Sequence, residues 1–296
     1  MKNNTIQRTV LLFIVIAASF VSRNGQAQSL PVTLTPPDSF GWRQTLNTML
    51  TLTQASYKDW VQGGDDAFAF TGTLIGKTID DESLTNWTTS YNFAFGKTSL
   101  DNLGTRKTTD IIDAETVYSY KLDSLLHPYI SATLLTQFAP GFTYDDSNRA
   151  TEVSKFFDPG YLTQGAGIGF LPWRGVKERL GVAMREIVTS QFTQYANVTG
   201  GPQTNKVRVD GGFQSTTEIN WMIDSNIVLT ASLALFDPVR ALGQVVVYSN
   251  NTLTAKVSKY ISVGLNVDLI NERDISTRTQ IAEGLGLNLS YAIFGK

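Results

Sequence analysis

The side chains that most often build an active site are sparse in this chain of 296 residues. It contains one histidine, His127, and no cysteine. A cysteine nucleophile, a thiolate metal site and a disulfide framework are therefore excluded, and serine hydrolysis would have to depend on His127. His127 precedes Pro128 in a predicted short turn, and the sequence has no G-x-S-x-G motif. We expect no catalytic residue and no enzymatic activity, with a lipid-modifying enzyme as the alternative.

An acidic stretch offers oxygen ligands for a cation. It runs Tyr144-Asp-Asp-Ser-Asn148 and is followed by Glu152. The spacing differs from the D-x-D-x-D-G pattern of a calcium-binding loop, and Asp, Ser and Asn are common turn residues. We interpret the stretch as a solvated loop and predict no metal site, with weak binding of divalent ions as the alternative.

Alternate glycines in Gly165-Ala-Gly-Ile-Gly169 resemble a nucleotide-binding loop. Their spacing is not G-x-G-x-x-G, and no helix pattern follows to hold a phosphate. Glycine at every second position instead leaves one face of a strand bare, which gives curvature or room for a neighbouring side chain. The alternative is that bare patches line a ligand passage. We predict no cofactor.

The N-terminal residues have the features of a secretory signal. Lys2 and Arg8 precede an apolar run from Val10 to Val21, and Gly25-Gln26-Ala27 fits a cleavage site. The run is too short for a membrane helix. We predict a cleaved signal peptide at 1–27 and an N-terminal periplasmic segment at 28–40. The net charge of −2 provides no basic surface for nucleic acid.

From Ser39 onward, apolar and polar residues alternate with the period of β-strands. The clearest run is Leu285 to Ile293, in which every odd position is large and apolar. Counting such runs predicts twelve strands in one domain, 41–296. Their predicted ranges are 41–55, 65–78, 85–98, 107–121, 128–139, 159–172, 176–190, 206–222, 226–237, 244–257, 260–271 and 277–294.

Connections between the predicted strands are largely short and long in alternation. Those at 123–128, 172–175, 224–226 and 258–260 are tight, whereas 139–158, 191–205 and 238–243 are longer. An even number of strands with this alternation is typical of an outer-membrane barrel. The apolar faces extend over about nine residues, the length that a tilted strand needs to cross hydrocarbon.

The face opposite the apolar one carries charges, which suits a watery lumen. We therefore predict an all-β protein, a transmembrane antiparallel up-and-down β-barrel; a soluble periplasmic β-protein is the alternative. Glu186 and Glu283 fall on the apolar face; Glu283 fits at the rim, and Glu186 would require a bulge. The predicted lumen-facing residues are Asp113, Glu115, Lys121, Arg185, Glu218 and Asp268.

The stretch 54–64, QASYKDWVQGG, lies between the first two predicted strands. Gly63 and Gly64 suit a reversal, and Tyr57 and Trp60 suit an aromatic girdle at the membrane interface. The stretch resembles the opening motif of DUF3078, an outer-membrane barrel family of unknown function typical of Bacteroidetes, except that Asp59 replaces the family's asparagine. The resemblance implies a barrel in the outer membrane and supplies no catalytic residue or ligand.

These features predict a narrow pore or transporter for small or lipophilic molecules in a Gram-negative outer membrane. The alternative is a structural or anchoring barrel whose lumen is plugged. The expected partners are outer-membrane lipid and, during insertion, the barrel-assembly machinery; the small-molecule ligand is unknown.

Overall fold

The computed structural model describes residues 40–56, 66–100, 103–123, 125–197 and 205–295. Within them, twelve antiparallel strands form a closed barrel, and two short strands form a separate hairpin. The predicted class and strand number are therefore confirmed. The strands are β1 (Gly41–Ala55), β2 (Ala67–Asp81), β3 (Thr85–Leu100), β4 (Gly104–Tyr120), β5 (Leu126–Thr136), β6 (Gly141–Tyr144), β7 (Ala150–Ser154), β8 (Gly160–Trp173), β9 (Val176–Val188), β10 (Val207–Asp224), β11 (Ile227–Pro238), β12 (Val246–Lys256), β13 (Ile261–Asn271) and β14 (Gln280–Gly295).

The barrel closes where the first and last strands meet. β1 pairs with β14 from Thr45↔Gly295 to Leu52↔Leu287, with one irregularity between Leu46 and Asn47. Every barrel strand then has two hydrogen-bonded neighbours. Closure matters because an open sheet edge in hydrocarbon would leave backbone N–H and C=O groups without partners.

Connections at the two ends of the barrel differ in length. At one end, here called the lower end, links of two to five residues join β2–β3, β4–β5, β8–β9, β10–β11 and β12–β13. The β8–β9 link is only Arg174-Gly175, and Gly175 adopts the positive φ (82°) that such a reversal requires. The β2–β3 link, residues 82–84, is also tight.

The opposite, upper end carries the longer links. The longest, between β5 and β8, contains the β6–β7 hairpin, and the next joins β9 to β10. The alternation has one exception, since β3 and β4 are joined at the upper end by residues 101–103 alone. No helix among the described residues is long and apolar enough to cross a membrane.

Large apolar side chains cover the outside of the barrel. On β14, Leu287 and Leu289 are 45% and 40% exposed, and they pair with Leu52 and Leu50 on the same outer face. The described residues contain one small buried apolar cluster, formed by Ala183, Phe236 and Val246. A water-soluble sheet protein would bury its apolar face, so this barrel is built with its polarity reversed.

Aromatic side chains concentrate on the outer face near the lower end. Trp42 and Trp87 lie 6.2 Å apart between ring centroids, and Tyr260 stacks on Tyr291 at 6.4 Å. Trp173 and Trp221 are exposed at the ends of their strands. Such a girdle marks the level at which a membrane barrel leaves hydrocarbon.

The predicted bulge at Glu186 is wrong. Glu186 pairs in regular register with Leu162 on one side and Val209 on the other. It faces outward two residues before β9 ends at Val188, so the upper rim accommodates its charge without a break in the ladder. Glu283, four residues into β14 and exposed, lies near the same rim as predicted.

Candidate functional site: the charged lumen

The six predicted lumen residues all lie on the inner face. Five are in strands, and Lys121 directly follows β4. Their neighbours show the direction of each side chain, because the adjacent positions in the same strands carry the exposed outer apolar residues. On β9, for example, Arg185 lies between Met184 and Glu186, which both face outward.

A charged bridge crosses the lower half of the lumen. Arg179 on β9 donates to Glu115 on β4 at 2.7 Å and to Glu218 on β10 at 3.2 Å. In the ring of strands, β5 and β8 separate β4 from β9, so the first bond crosses one side of the lumen. The Arg179 guanidinium also lies 5.6 Å from the Tyr129 ring centroid. Glu115, Arg179 and Glu218 are the lumen bridge.

The lumen bridge has further charges around it. Lys77 on β2 is within electrostatic range of all three of its members and of Lys177 on β9. Arg179 and Lys77 were not among the predicted lumen residues. The alternation within β9 and β2 would have identified both. Arg179 is an even number of residues from Arg185 on β9, so both face inward. Lys77 is an odd number of residues from the outward Phe68 and Phe70 on β2, so it faces inward too.

A second and denser cluster lies at the upper end of the lumen. Arg185 donates to both Glu272 carboxylate oxygens at 2.9 Å and to the Tyr248 hydroxyl at 3.0 Å. Tyr248 in turn donates to Glu272 at 2.8 Å, and the Tyr161 ring lies 5.2 Å from the Arg185 guanidinium. This bidentate arrangement is the strongest pairing that arginine makes with a carboxylate.

The same cluster continues to the loop that follows β13. Arg208 bonds to Glu272 at 3.1 Å and pairs with Asp210 at 2.9 Å and Asp274 at 3.3 Å. Arg240, in the β11–β12 link, pairs with Asp210 at 2.6 Å and also with Asp274. Three arginines thus neutralise three acids. The upper cluster is defined as Arg185, Arg208, Asp210, Arg240, Glu272 and Asp274.

Burial and pairing have opposite effects on Glu272. Its side chain is 1% exposed, and burial alone would raise the pKa of its carboxyl group. Arg185, Tyr248 and Arg208 together outweigh that cost and hold the pKa below its ordinary value. Glu272 is therefore ionised at neutral pH, and its charge holds the two arginines in place.

The opposite wall of the lumen is comparatively bare. Several inward positions on β1, β11, β12 and β14 carry short polar or small side chains that remain exposed to solvent, and Ile75 on β2 is 46% exposed. Asp268 accepts hydrogen bonds from Asn250 and Asn266 here. The exposed small or polar inward residues are Asn47, Thr230, Ser232, Asn250, Ala282 and Gly284.

The inward glycines have several structural roles. A Cβ on Gly264 would meet the Asn288 amide at 2.5 Å, so this glycine makes room for an inward side chain, as predicted. At Gly167 and Gly181, which pair directly, a Cβ would collide with the neighbouring strand's backbone. A Cβ on Gly284 would meet open space. None of them cradles an anion at a helix terminus.

The other sequence candidates lie apart from the lumen clusters. His127 is the second residue of β5 rather than part of a turn. Asp145 begins the β6–β7 turn and accepts bonds from the Ser147 and Arg149 N–H groups, both at 2.9 Å. Among the described residues, no group of three or more His, Cys, Asp or Glu could hold a metal ion.

Two other sets of predictions fall on residues that the structure does not describe. Tyr57, Trp60, Gly63 and Gly64 all lie in 57–65, outside the described residues, between Ser56 and Asp66 in the β1–β2 link. The predicted signal peptide at 1–27 lies outside them as well. Its cleavage, and the role of the motif, stay predictions.

The fold and lumen define a class: a closed antiparallel barrel with an apolar exterior and a charged interior. The model of DUF3078, described as a protein of unknown function, matches residues 52–142 and confirms the resemblance to that family. No curated protein matches the chain. The expectation of a Bacteroidetes source stays a prediction.

Solved structures similar to this chain include an autotransporter translocator domain, an outer membrane channel and OprB. The translocator domain of the autotransporter NalP from Neisseria meningitidis is 11% identical, with 98% of this chain and 97% of that one covered and a TM-score of 0.37. The COG4313 outer membrane channel from Pseudomonas putida F1 is 12% identical, with 91% and 98% covered and a TM-score of 0.39. Pseudomonas putida OprB is 9% identical, with 86% and 94% covered and a TM-score of 0.34.

Proposed function

We propose that this protein is an outer-membrane barrel with a narrow, water-filled passage for small polar molecules. The observation that carries the proposal is the exposure of Asn47, Thr230, Ser232 and Asn250 on the inner wall. Short side chains there leave space that the lumen bridge, reaching only from β9 to β4 and β10, does not fill. Charges of both signs line the passage, so selectivity between cations and anions is expected to be weak.

The proposed location rests on the outer surface. A band of exposed leucine, valine and phenylalanine bounded by an aromatic girdle is stable in lipid and costly in water. Gel mobility in SDS with and without boiling tests it. The folded barrel should migrate anomalously until heated, and a chain that runs identically in both lanes, and dissolves as a monomer without detergent, would contradict the location.

Conductance in planar bilayers tests the passage. Insertion of single molecules into phosphatidylcholine bilayers should give discrete current steps of uniform size. Steady insertion without any steps would instead support the alternative of a plugged, anchoring barrel. A protein denatured by boiling, added at the same concentration, is the control for detergent artefacts.

Export by a cleaved signal peptide and insertion by the barrel-assembly machinery belong to the same proposal. N-terminal sequencing of the protein from the outer-membrane fraction should begin after Ala27. Depletion of the assembly machinery should reduce the folded form. A first residue within 1–10 would contradict the signal peptide without affecting the barrel.

We also propose that the protein acts without catalysis. His127 faces the lumen, not the membrane surface, at the lower end of β5. Any lipid hydrolysis in a purified sample should be unchanged in His127→Ala, measured with a fluorescent phospholipid. Activity that copurifies with the wild type and disappears in the variant would establish an enzyme.

A further inference from the structure

The outer surface has a concave apolar region across β8, β9, β10 and β11, here called the outer groove. Its side chains project from neighbouring strands in two rows, because Ile168 pairs with Leu180 and Ala166 with Val182. Gly167 and Gly181 lie between these rows without side chains. The groove is lined by Ala166, Ile168, Leu180, Val182, Phe213 and Leu235, among others.

The floor of the outer groove is the strand backbone between the two rows. Gly167 and Gly181 face the lumen, and a Cβ on either would collide with the backbone of the neighbouring strand. These glycines therefore allow β8 and β9 to approach closely. The depression outside is bounded by the outward side chains of β8 to β11.

A carboxylate lies at the lower end of the outer groove. Glu178 accepts hydrogen bonds from the hydroxyls of Ser215 (2.7 Å) and Thr217. Ser215 pairs with outward Leu180 and itself lines the groove, so Glu178 faces outward too. An outward charge in hydrocarbon would be costly.

The height of Glu178 is the level of lipid headgroups. It lies two residues from the lower end of β9, one pair above Trp173↔Val176. Trp221, also outward, lies further down β10. Glu178 is thus just inside the aromatic girdle, where a headgroup can reach it while the acyl chains occupy the groove above. Each carboxylate oxygen accepts one hydroxyl and keeps lone pairs for another donor.

We propose that the outer groove and Glu178 bind one phospholipid with an ethanolamine headgroup, from the leaflet at the lower end. The ammonium group supplies three N–H donors and a positive charge that can pair with the outward carboxylate. The apolar groove takes an acyl chain, whose contacts give affinity but no headgroup preference. The site rests on the proposed membrane location and is independent of whether the lumen conducts.

Native mass spectrometry of the detergent-solubilised full barrel tests this site with defined lipids. Dioleoyl phosphatidylethanolamine should bind as one retained copy, more tightly than dioleoyl phosphatidylglycerol, whose charge Glu178 repels, or dioleoyl phosphatidylcholine, which has no N–H donor. Glu178→Gln should weaken ethanolamine-lipid binding by about tenfold and remove the preference. Equal retention of all three lipids, or unchanged binding in Glu178→Gln, would overturn the proposal.

Two further variants separate headgroup from acyl-chain recognition. Glu186→Gln removes the outward glutamate at the opposite rim of the same strand and should leave binding unchanged. Ala166→Phe fills the groove without altering Glu178 and should weaken all three lipids together. Heat-modifiable mobility in SDS confirms that each variant is folded before it is compared.

The outcomes for the lipid and for the passage are distinguishable. Conductance is measured in phosphatidylcholine bilayers, where the ethanolamine lipid is absent. Current steps without a lipid preference would overturn the lipid site and leave the passage intact. A lipid preference without current steps would support the lipid site and overturn the passage.

Discussion

The two charged clusters in the lumen use the same residue types and differ in how far water reaches them. In the upper cluster, the side chains of Arg208, Asp210 and Glu272 are all nearly inaccessible. In the lumen bridge, Glu115 and Glu218 stay partly exposed although Arg179 is buried. The upper cluster therefore resembles a buried ion-pair network that holds loops to the barrel, and the lumen bridge resembles a partly solvated crossbar in the lumen.

This difference has an energetic consequence. Removing one member of a buried ion-pair network leaves a partner charge in a low dielectric, at a cost of several kcal/mol. Removing one member of a partly exposed pair leaves a charge that water can solvate, at a cost of about 1 kcal/mol or less. Stability should respond to the upper cluster, and conductance to the lumen bridge.

The largest effect is expected for Glu272→Gln in the upper cluster. Arg185 and Arg208 would lose their shared carboxylate while remaining buried, and the free energy of unfolding should fall by about 3–5 kcal/mol. Urea unfolding in lipid vesicles, followed by tryptophan fluorescence, measures it. Glu283→Gln, an exposed glutamate on the outer rim, is the control; equal effects in both variants would remove the distinction between buried and exposed charges.

A smaller effect is expected at Asp158, which extends the shielded upper end. This carboxylate, 1% exposed, accepts bonds from the Ser190 hydroxyl (2.6 Å) and N–H (3.0 Å) and from the Gln191 N–H (2.8 Å). It joins the β5–β8 link to the β9–β10 link. Asp158→Asn should reduce the free energy of unfolding by about 1–3 kcal/mol, because a buried acceptor is lost.

The pH dependence of Asp158 has a definite sign. Burial would raise the pKa of its carboxyl group, but the bonds from Ser190 and Gln191 outweigh burial and lower it. Its stabilisation is therefore complete above the ordinary carboxyl pKa of about 4 and is lost as the pH falls through the folded value. Between about pH 6 and about pH 3, the free energy of unfolding should therefore fall less in Asp158→Asn than in the wild type. Asp146→Asn, in the exposed hairpin turn, should behave like the wild type.

A substitution in the lumen bridge is expected to change conductance more than stability. Arg179→Ala removes the crossbar between β9 and β4, so single-molecule conductance should rise by about twofold. The free energy of unfolding should change by about 1 kcal/mol, since water reaches Glu115 and Glu218. Arg174→Ala, in the exposed β8–β9 turn, controls for loss of an arginine outside the lumen. An unchanged step size would show that the crossbar does not limit the passage.

The smallest effect is expected at the lower rim. Lys121 bonds to Asp81 at 2.8 Å, and Asp81 also pairs with Arg43 at 3.4 Å. All three side chains are part-exposed, so Lys121→Gln should cost no more than about 1 kcal/mol and depend on salt. The same urea titration at low and high salt measures it. A loss that equals that of Glu272→Gln would contradict the role assigned to burial.

Much of the barrel could be predicted because alternation is a local property. Parity along a strand assigns each residue to one of two faces, so Leu285 to Ile293 defines an outer face without knowledge of any neighbour. The strand ends were within three residues of those in the structure, except that β6 and β7 were missed. Their four and five residues are too short to show a convincing period.

The candidate site was predictable in its residues and not in its contacts. Parity placed Glu115, Arg185 and Glu218 on one face of their strands. Their partners come from elsewhere in the ring: Arg179 from three strands beyond β4, and Glu272 from a loop that no periodicity describes. Glu186 was assigned a bulge because its height relative to the rim depends on how neighbouring strands are staggered.

By itself, the sequence determined that this protein is a chain of alternating strands with short links at one end, an apolar face and a charged face. Those properties follow from the two-residue repeat of the strand and from turn chemistry, which act over a few residues. The tertiary structure decided which charges meet, which lie in water and where the outer wall is concave. Closing the ring brings together residues as distant in sequence as Thr51 and Asn288, which are 237 positions apart. Burial, which sets the energy of each charge, exists only once the ring has closed.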